Sequence, residues 1–280
     1  MKIYISTDVE GLAGITDWNM DDNDTDKFRK LYNEQVAWVL QGIQKATNNS
    51  QIDEILISDS HAKGTNLDYD YLSDIDDRVA LISGYPREDY MMSGFDASFD
   101  QVIFVGYHSG IGKEHGNMDH SYSARSAYNV WINGQYQNET TINVAYANEL
   151  GVPVTLIVGD SALKEQLIDE KMCPSPKVVV TKKSLARFSA MSYPRKQVKS
   201  DIINGAKEVI DNPEAYSAVK PLKTPLTLKM QLANTAKADA VEQMQDVKRV
   251  DGRTIEVQCP SMKALLNEII AIVMLAGTQD

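Results

Sequence analysis

Apolar, β-branched runs recur along this chain, and each ends in a polar turn. KIYIST, DEILISDS, DRVALISG, QVIFVGYH, SAYNVWING, VPVTLIVGD and KVVVTKK read as strands, several of them apolar on both faces. Between them, residues 25–48, 139–150, 161–171 and 195–211 have helical spacing. Strands alternating with helices predict an α/β fold: a mostly parallel sheet flanked by helices, with functional groups at the carboxyl ends of strands.

The pattern changes near residue 190. Pro194, Pro213, Pro221 and Pro225 punctuate the next stretch, and beyond them LTLKMQL and RTIEVQC alternate as strands. A last helix is expected from about Ser261 to Leu275, with Ser261 as its N-cap. This predicts a metal-binding catalytic α/β domain over 1–190 and a smaller C-terminal α+β domain over 191–280. The acidic run at 20–26, MDDNDTD, reads as a solvated loop with a helix cap.

All four histidines lie between positions 61 and 120, and their placement carries the candidate chemistry. His61 closes EILISDS, His108 closes QVIFVGY, and the first strand ends in the carboxylates Asp8 and Glu10. Residues two apart on a strand share a face, so Asp8 and Glu10 project together and repel unless a cation lies between them. Imidazoles and carboxylates at three strand ends are a ligand set for zinc or a similar divalent ion. Each element also has an ordinary structural reading: Asp8 as a turn cap, and His61 satisfied by backbone groups; on the metal reading, Asp59 would orient the His61 imidazole. The repetition of the grammar favours metal. A two-metal site needs a further carboxylate, and Glu139, opening the segment ETTINVAYANEL, is the candidate; a carboxylate at a helix start is also favoured by the helix dipole. Between His115 and His120, in GIGKEHGNMDHS, the residues alone make no choice. That stretch is no dinucleotide fingerprint, because His115 stands where the third glycine belongs.

Composition narrows the function classes. With 28 basic and 39 acidic residues the net charge is -11, which argues against nucleic acid or an anionic membrane as partner. No run approaches a membrane span, no signal peptide is apparent, and Cys173 and Cys259 form no CxxC pair, so a cytoplasmic location is expected. G-x-S-x-G, H-E-x-x-H and P-loop motifs are missing.

Taken together, S-T-D-V-E-G at the amino terminus, S-D-S-H at 58–61, G-Y-H at 106–108, M-D-H-S at 118–121 and I-N-G-x-x-x-N-E at 132–139 resemble the DppA-type zinc D-aminopeptidases of peptidase family M55. The resemblance implies an α/β subunit with two zinc ions and a homodecamer that encloses its active sites. By position it implies Asp8 as the bridging ligand, Glu10 and His61 on one ion, His108 and Glu139 on the other, and His120 as catalytic nucleophile or general acid/base. His115 matches no functional position. The implied activity is hydrolysis of short peptides with an amino-terminal D-residue of the D-Ala type. Two further readings are another dinuclear amidohydrolase or phosphoesterase, and a metal-binding oligomeric scaffold without turnover. Lys63, Lys113 and Arg125 are the basic groups a phosphoesterase would have nearby in sequence.

Overall fold

The computed structural model describes residues 1–23 and 25–279. Six parallel strands form its central sheet: β1 (Lys2–Thr7), β2 (Glu54–Asp59), β3 (Val79–Ile82), β4 (Gln101–Tyr107), with β7 (Val154–Gly159) and β8 (Lys177–Val180), in the order β3-β2-β1-β4-β7-β8. An antiparallel sheet of order β12-β13-β11-β5-β6 is built from β5 (Ala127–Ile132), β6 (Gln135–Gln137), β11 (Leu226–Leu232), β12 (Lys248–Arg249) and β13 (Thr254–Cys259). A hairpin of β9 (Lys182–Ala186) and β10 (Ser189–Ser192) stands apart from both. The helices are α1 (Asn19–Asn23), α2 (Thr25–Gln44), α3 (Tyr69–Ile75), α4 (Glu139–Glu149), α5 (Ser161–Lys164), which runs into a π turn at Glu165–Asp169, α6 (Arg195–Asp211), α7 (Thr235–Val241) and α8 (Met262–Gly277).

The central strands are apolar throughout because both faces of their sheet are covered. On one side Ile3, Ile5, Ile55, Ile103 and Val105 pack with Val36, Leu40 of α2 and Val198, Ile202 of α6. On the other, Tyr4, Val102, Phe104 and Ile157 meet Ile142 of α4, Leu228 and Met230 of β11, and Leu266 and Ile269 of α8. The antiparallel strands alternate buried and partly exposed positions, as β11 does over its whole length, because they bury one face.

Two expectations change. SAYNVWING is a strand, but it pairs antiparallel with LTLKMQL rather than joining the parallel sheet. The antiparallel sheet therefore draws on residues either side of 190, while α6, beyond 190, packs against α2 on the central sheet. The acidic run 20–26 is mostly helical: α1 and α2 take up Met20 and Thr25, and Met20 and Trp18 pack against the apolar cluster beneath, which holds the segment down. Asp24, within that run, lies outside the described residues. Ser261 caps α8 as expected, accepting from the Ala264 amide. Among the described residues no helix is long and apolar enough to cross a membrane.

Candidate metal centre

Strand order reverses beside β1: β2 and β3 lie on one side of it and β4, β7 and β8 on the other. Chains leaving neighbouring strands there diverge to opposite faces and open a crevice at the carboxyl ends. Asp8 and Glu10 follow β1, His61 follows β2 and His108 follows β4, so all four line that crevice's floor. The approach is very close. A Cβ on Gly11 would fall 1.9 Å from the Tyr107 carbonyl oxygen, and one on Gly106, whose φ is +82°, 1.9 Å from that of Asp8. Only glycine fits at either point, and the Gly11 amide donates to the Gly106 carbonyl at 2.7 Å.

Glu139 arrives from the side, as the first residue of α4. Asn138 caps this helix, its side chain accepting from the Thr141 amide at 2.9 Å while its Nδ2 donates to Gln166. The Tyr122 amide donates to Glu139 Oε1 at 2.5 Å, fixing the carboxylate. Its other oxygen, Oε2, lies 3.6 Å from His108 Nε2.

Asp8 faces both ways. Its Oδ1 lies 3.2 Å from His61 Nδ1, and its Oδ2 lies 3.6 Å from His108 Nε2. Glu10 Oε2 is 3.5 Å from the same His61 nitrogen. Ligand atoms of Asp8, Glu10 and His61 fall within 4.8 Å of one another, and so do those of Asp8, His108 and Glu139. A third such group is Glu10, His108 and His120. Asp59 orients no imidazole: its carboxylate accepts from the Asn66 and Leu67 amides at 2.6 and 2.9 Å, tying down the loop after β2.

The electrostatics call for positive charge. His108 Nδ1 is 2.8 Å from the Ser109 carbonyl, which only accepts, so Nδ1 carries the proton and the Nε2 lone pair points at two carboxylates. Nε2 of His108 and Oε2 of Glu10 are both buried without a hydrogen-bond partner. Burial disfavours charge on His108, yet Glu139, Glu10 and Asp8 pull its pKa up to about 10. His61 is likewise raised well above its ordinary value, against burial, by Glu10 and Asp8. Burial and the adjacent Glu10 charge push the Asp8 carboxyl up to about 7. Orphaned lone pairs converging from imidazoles and carboxylates fit divalent cations, which satisfy all of them at once.

His120 differs from the other imidazoles. Burial first, and the charge of His108 second, lower its pKa below the usual histidine value. Its Nδ1 is 3.0 Å from the Met118 carbonyl, so the Nε2 lone pair faces inward, 3.6 Å from Glu139 Oε1 and 4.0 Å from Glu10 Oε1. His120 lines a cavity of about 170 Å³ above the carboxylates, together with Trp18, Tyr90 and Tyr122. His115 is outside it: 68% exposed, with its ring at the Leu185 carbonyl and Glu114.

Several supporting residues gave no signal in the sequence. Trp18 donates from Nε1 to Glu10 Oε1 at 2.7 Å and sets its edge against the His120 ring, centroids 5.5 Å apart. Asp119 accepts from Arg187 on the hairpin and from the Gly112 amide, bracing the loop that carries His120. Lys182, fully buried, donates to the carbonyls of Glu10 and Ile15 and, at 2.7 Å, to Asn117 Oδ1. These partners are set by tertiary approach of distant segments, which no local spacing encodes. A tryptophan eleven residues past a strand is not, by itself, a marker of anything.

Comparison with known proteins places the chain in a family. A curated relative, the D-aminopeptidase of Bacillus subtilis (strain 168), is 25% identical over 282 residues, covering 99% of this chain and 98% of its own. The fold superimposes with a TM-score of 0.90 on a solved structure described as the Zn-dependent D-aminopeptidase DppA from Bacillus subtilis, a self-compartmentalizing protease, at 23% identity over 99% of this chain and 98% of that one. The model of the M55 peptidase family, described as D-aminopeptidase, matches residues 1–271. The chain therefore belongs to peptidase family M55.

Proposed function

We propose that this chain is a dinuclear zinc aminopeptidase that removes amino-terminal D-residues of the D-Ala type from short peptides. The observation that carries the reading is the position of Asp8, with one oxygen toward His61 and Glu10 and the other toward His108 and Glu139. A carboxylate so placed is the natural bridge between two ions. When bound, the two ions supply Lewis acidity toward the scissile carbonyl and the attacking water.

The remaining work falls to the chain's own residues. Asp8, Glu10 and His61 would hold one ion, and Asp8, His108 and Glu139 the other. His120, with its pKa lowered by burial and by His108 and its Nε2 toward the cavity, would take a proton from the nucleophile and pass it on to the leaving amine, or attack directly. Trp18 and Tyr122 fix the carboxylates of Glu10 and Glu139, and the walls that bury these groups strengthen every charge interaction inside.

The cavity over the carboxylates is lined by no Lys or Arg among the described residues, and Lys113 is occupied by Glu165 and Glu170. Beyond the ions themselves, phosphate would find no side-chain cation there, which favours peptide over phosphoester. A relative described as self-compartmentalizing supports a closed homo-oligomer, a homodecamer by the family resemblance. The unpaired Cys173 and Cys259 suit a reducing cytoplasm. The test is hydrolysis of D-Ala and L-Ala p-nitroanilides before and after chelation, with zinc added back. Cleavage of the D-substrate, lost on chelation and restored by zinc, is expected; chelator-insensitive cleavage, or none by zinc-loaded protein, would overturn the proposal.

A further inference from the structure

A second cavity, of about 250 Å³, adjoins the one over the carboxylates. The two share three walls: Ala62, Tyr90 and Tyr122. All three have left-handed backbone, with φ of 48°, 45° and 58°. Residues with side chains persist in that conformation only where their surroundings impose it, and such strain concentrates at ligand sites. Arg87 braces two of them. Its guanidinium donates to the carbonyls of Ser60 and Tyr90 at 2.6 and 3.1 Å and to that of Ala62 at 3.3 Å, and it lies 4.9 Å from the Tyr90 ring centroid. These three residues form the boundary the two cavities share.

Beyond this shared boundary the lining is apolar, with Tyr85, Ile270, Val273 and Met274, and carries Lys63. Lys63 is the one Lys or Arg in the lining of either cavity among the described residues. The first cavity, about 170 Å³, has to take the peptide's amino terminus, its first side chain and the scissile carbonyl, which leaves room for a small first residue.

We infer that the apolar cavity receives the residue following the scissile bond, and that the preferred substrate is a dipeptide: a small amino-terminal residue followed by a bulky apolar residue with a free carboxylate facing Lys63. This deepens the aminopeptidase reading and rests on it. Helix α8, far from the metal-type ligands in sequence, then sets specificity through Ile270, Val273 and Met274.

The experiment compares kcat/KM of the zinc-loaded enzyme for D-Ala-Gly, D-Ala-Leu and D-Ala-Phe, the second residue supplied as either enantiomer, and for the corresponding carboxamides. At least one bulky apolar peptide should exceed D-Ala-Gly by about tenfold or more. Met274→Glu, a change at a half-exposed position, should drive that ratio toward unity. Lys63→Ala should remove the advantage of free acid over amide, about threefold for an exposed charge pair. D-Ala-Gly cleaved as well as or better than both bulky peptides overturns the subsite alone, as does a ratio that Met274→Glu leaves unmoved. If no D-Ala peptide is cleaved at all, the aminopeptidase reading itself fails, and the subsite with it.

Discussion

The imidazoles of His108 and His120 stack with centroids 4.4 Å apart and 7° between their planes, and their Nε2 atoms face opposite oxygens of the Glu139 carboxylate. Parallel rings at that spacing do not have equal access. His108 is 2% exposed and has no share in the lining of the cavity, whereas His120 looks into it. On the proposed reading, His108 would hold an ion and His120 would handle a proton.

His120→Ala should therefore lower kcat by about 10²- to 10⁴-fold while zinc content stays near that of the parent. His115→Ala should change neither. The pair is read by kcat alongside metal analysis of the same preparations. Zinc lost in step with activity in the His120 variant would make His120 a ligand, in the group it forms with Glu10 and His108.

Trp18→Phe removes the indole donor to Glu10 and retains most of the packing. Groups that orient a ligand carboxylate typically contribute about 10- to 100-fold to metal affinity. A drop in zinc affinity of that order is expected in competition with a chromophoric chelator. Unchanged affinity would reduce Trp18 to a cavity wall.

Lys182→Met leaves the Glu10 and Ile15 carbonyls and Asn117 Oδ1 without their shared donor, at a cost of about 2–4 kcal/mol in unfolding free energy. The cost should vary with pH. Burial, outweighing Asp160 and Glu10, lowers the Lys182 pKa from 10.5 to about 8. Between those values the unfolded chain binds the proton that the folded chain has released, so the lysine's contribution to stability grows as pH rises through that window. Denaturant titrations of both proteins at pH 7.5 and about 10 should show the gap widening. A gap that narrows contradicts the lowered pKa.

The strands, the long helices and the metal-type residues were legible in the sequence because each leaves a local mark. KIYIST and QVIFVGY are apolar on both faces since Ile3 and Tyr4, or Ile103 and Phe104, enter different cores. Asp8, Glu10, His61 and His108 stand at strand ends, where a parallel sheet gathers them. The partner of a strand leaves no such mark. SAYNVWING shows the one-faced alternation of an antiparallel strand, yet its pairing with LTLKMQL, about a hundred residues on, is a long-range choice. Arg87, Trp18 and Lys182 act through contacts with distant backbone, and only the folded arrangement gives them a role.

The central claim is that Asp8 is shared by two ions, and metal analysis of ligand variants tests it most directly. Zinc would be counted per subunit, after equilibrium dialysis, for the parent protein, His61→Ala, His108→Ala and Asp8→Ala. The account predicts two in the parent, about one in each histidine variant, and loss of tight binding at both sites in Asp8→Ala, since each ion loses a ligand there. A parent that binds a single ion, or an Asp8 variant that loses only one, would contradict it.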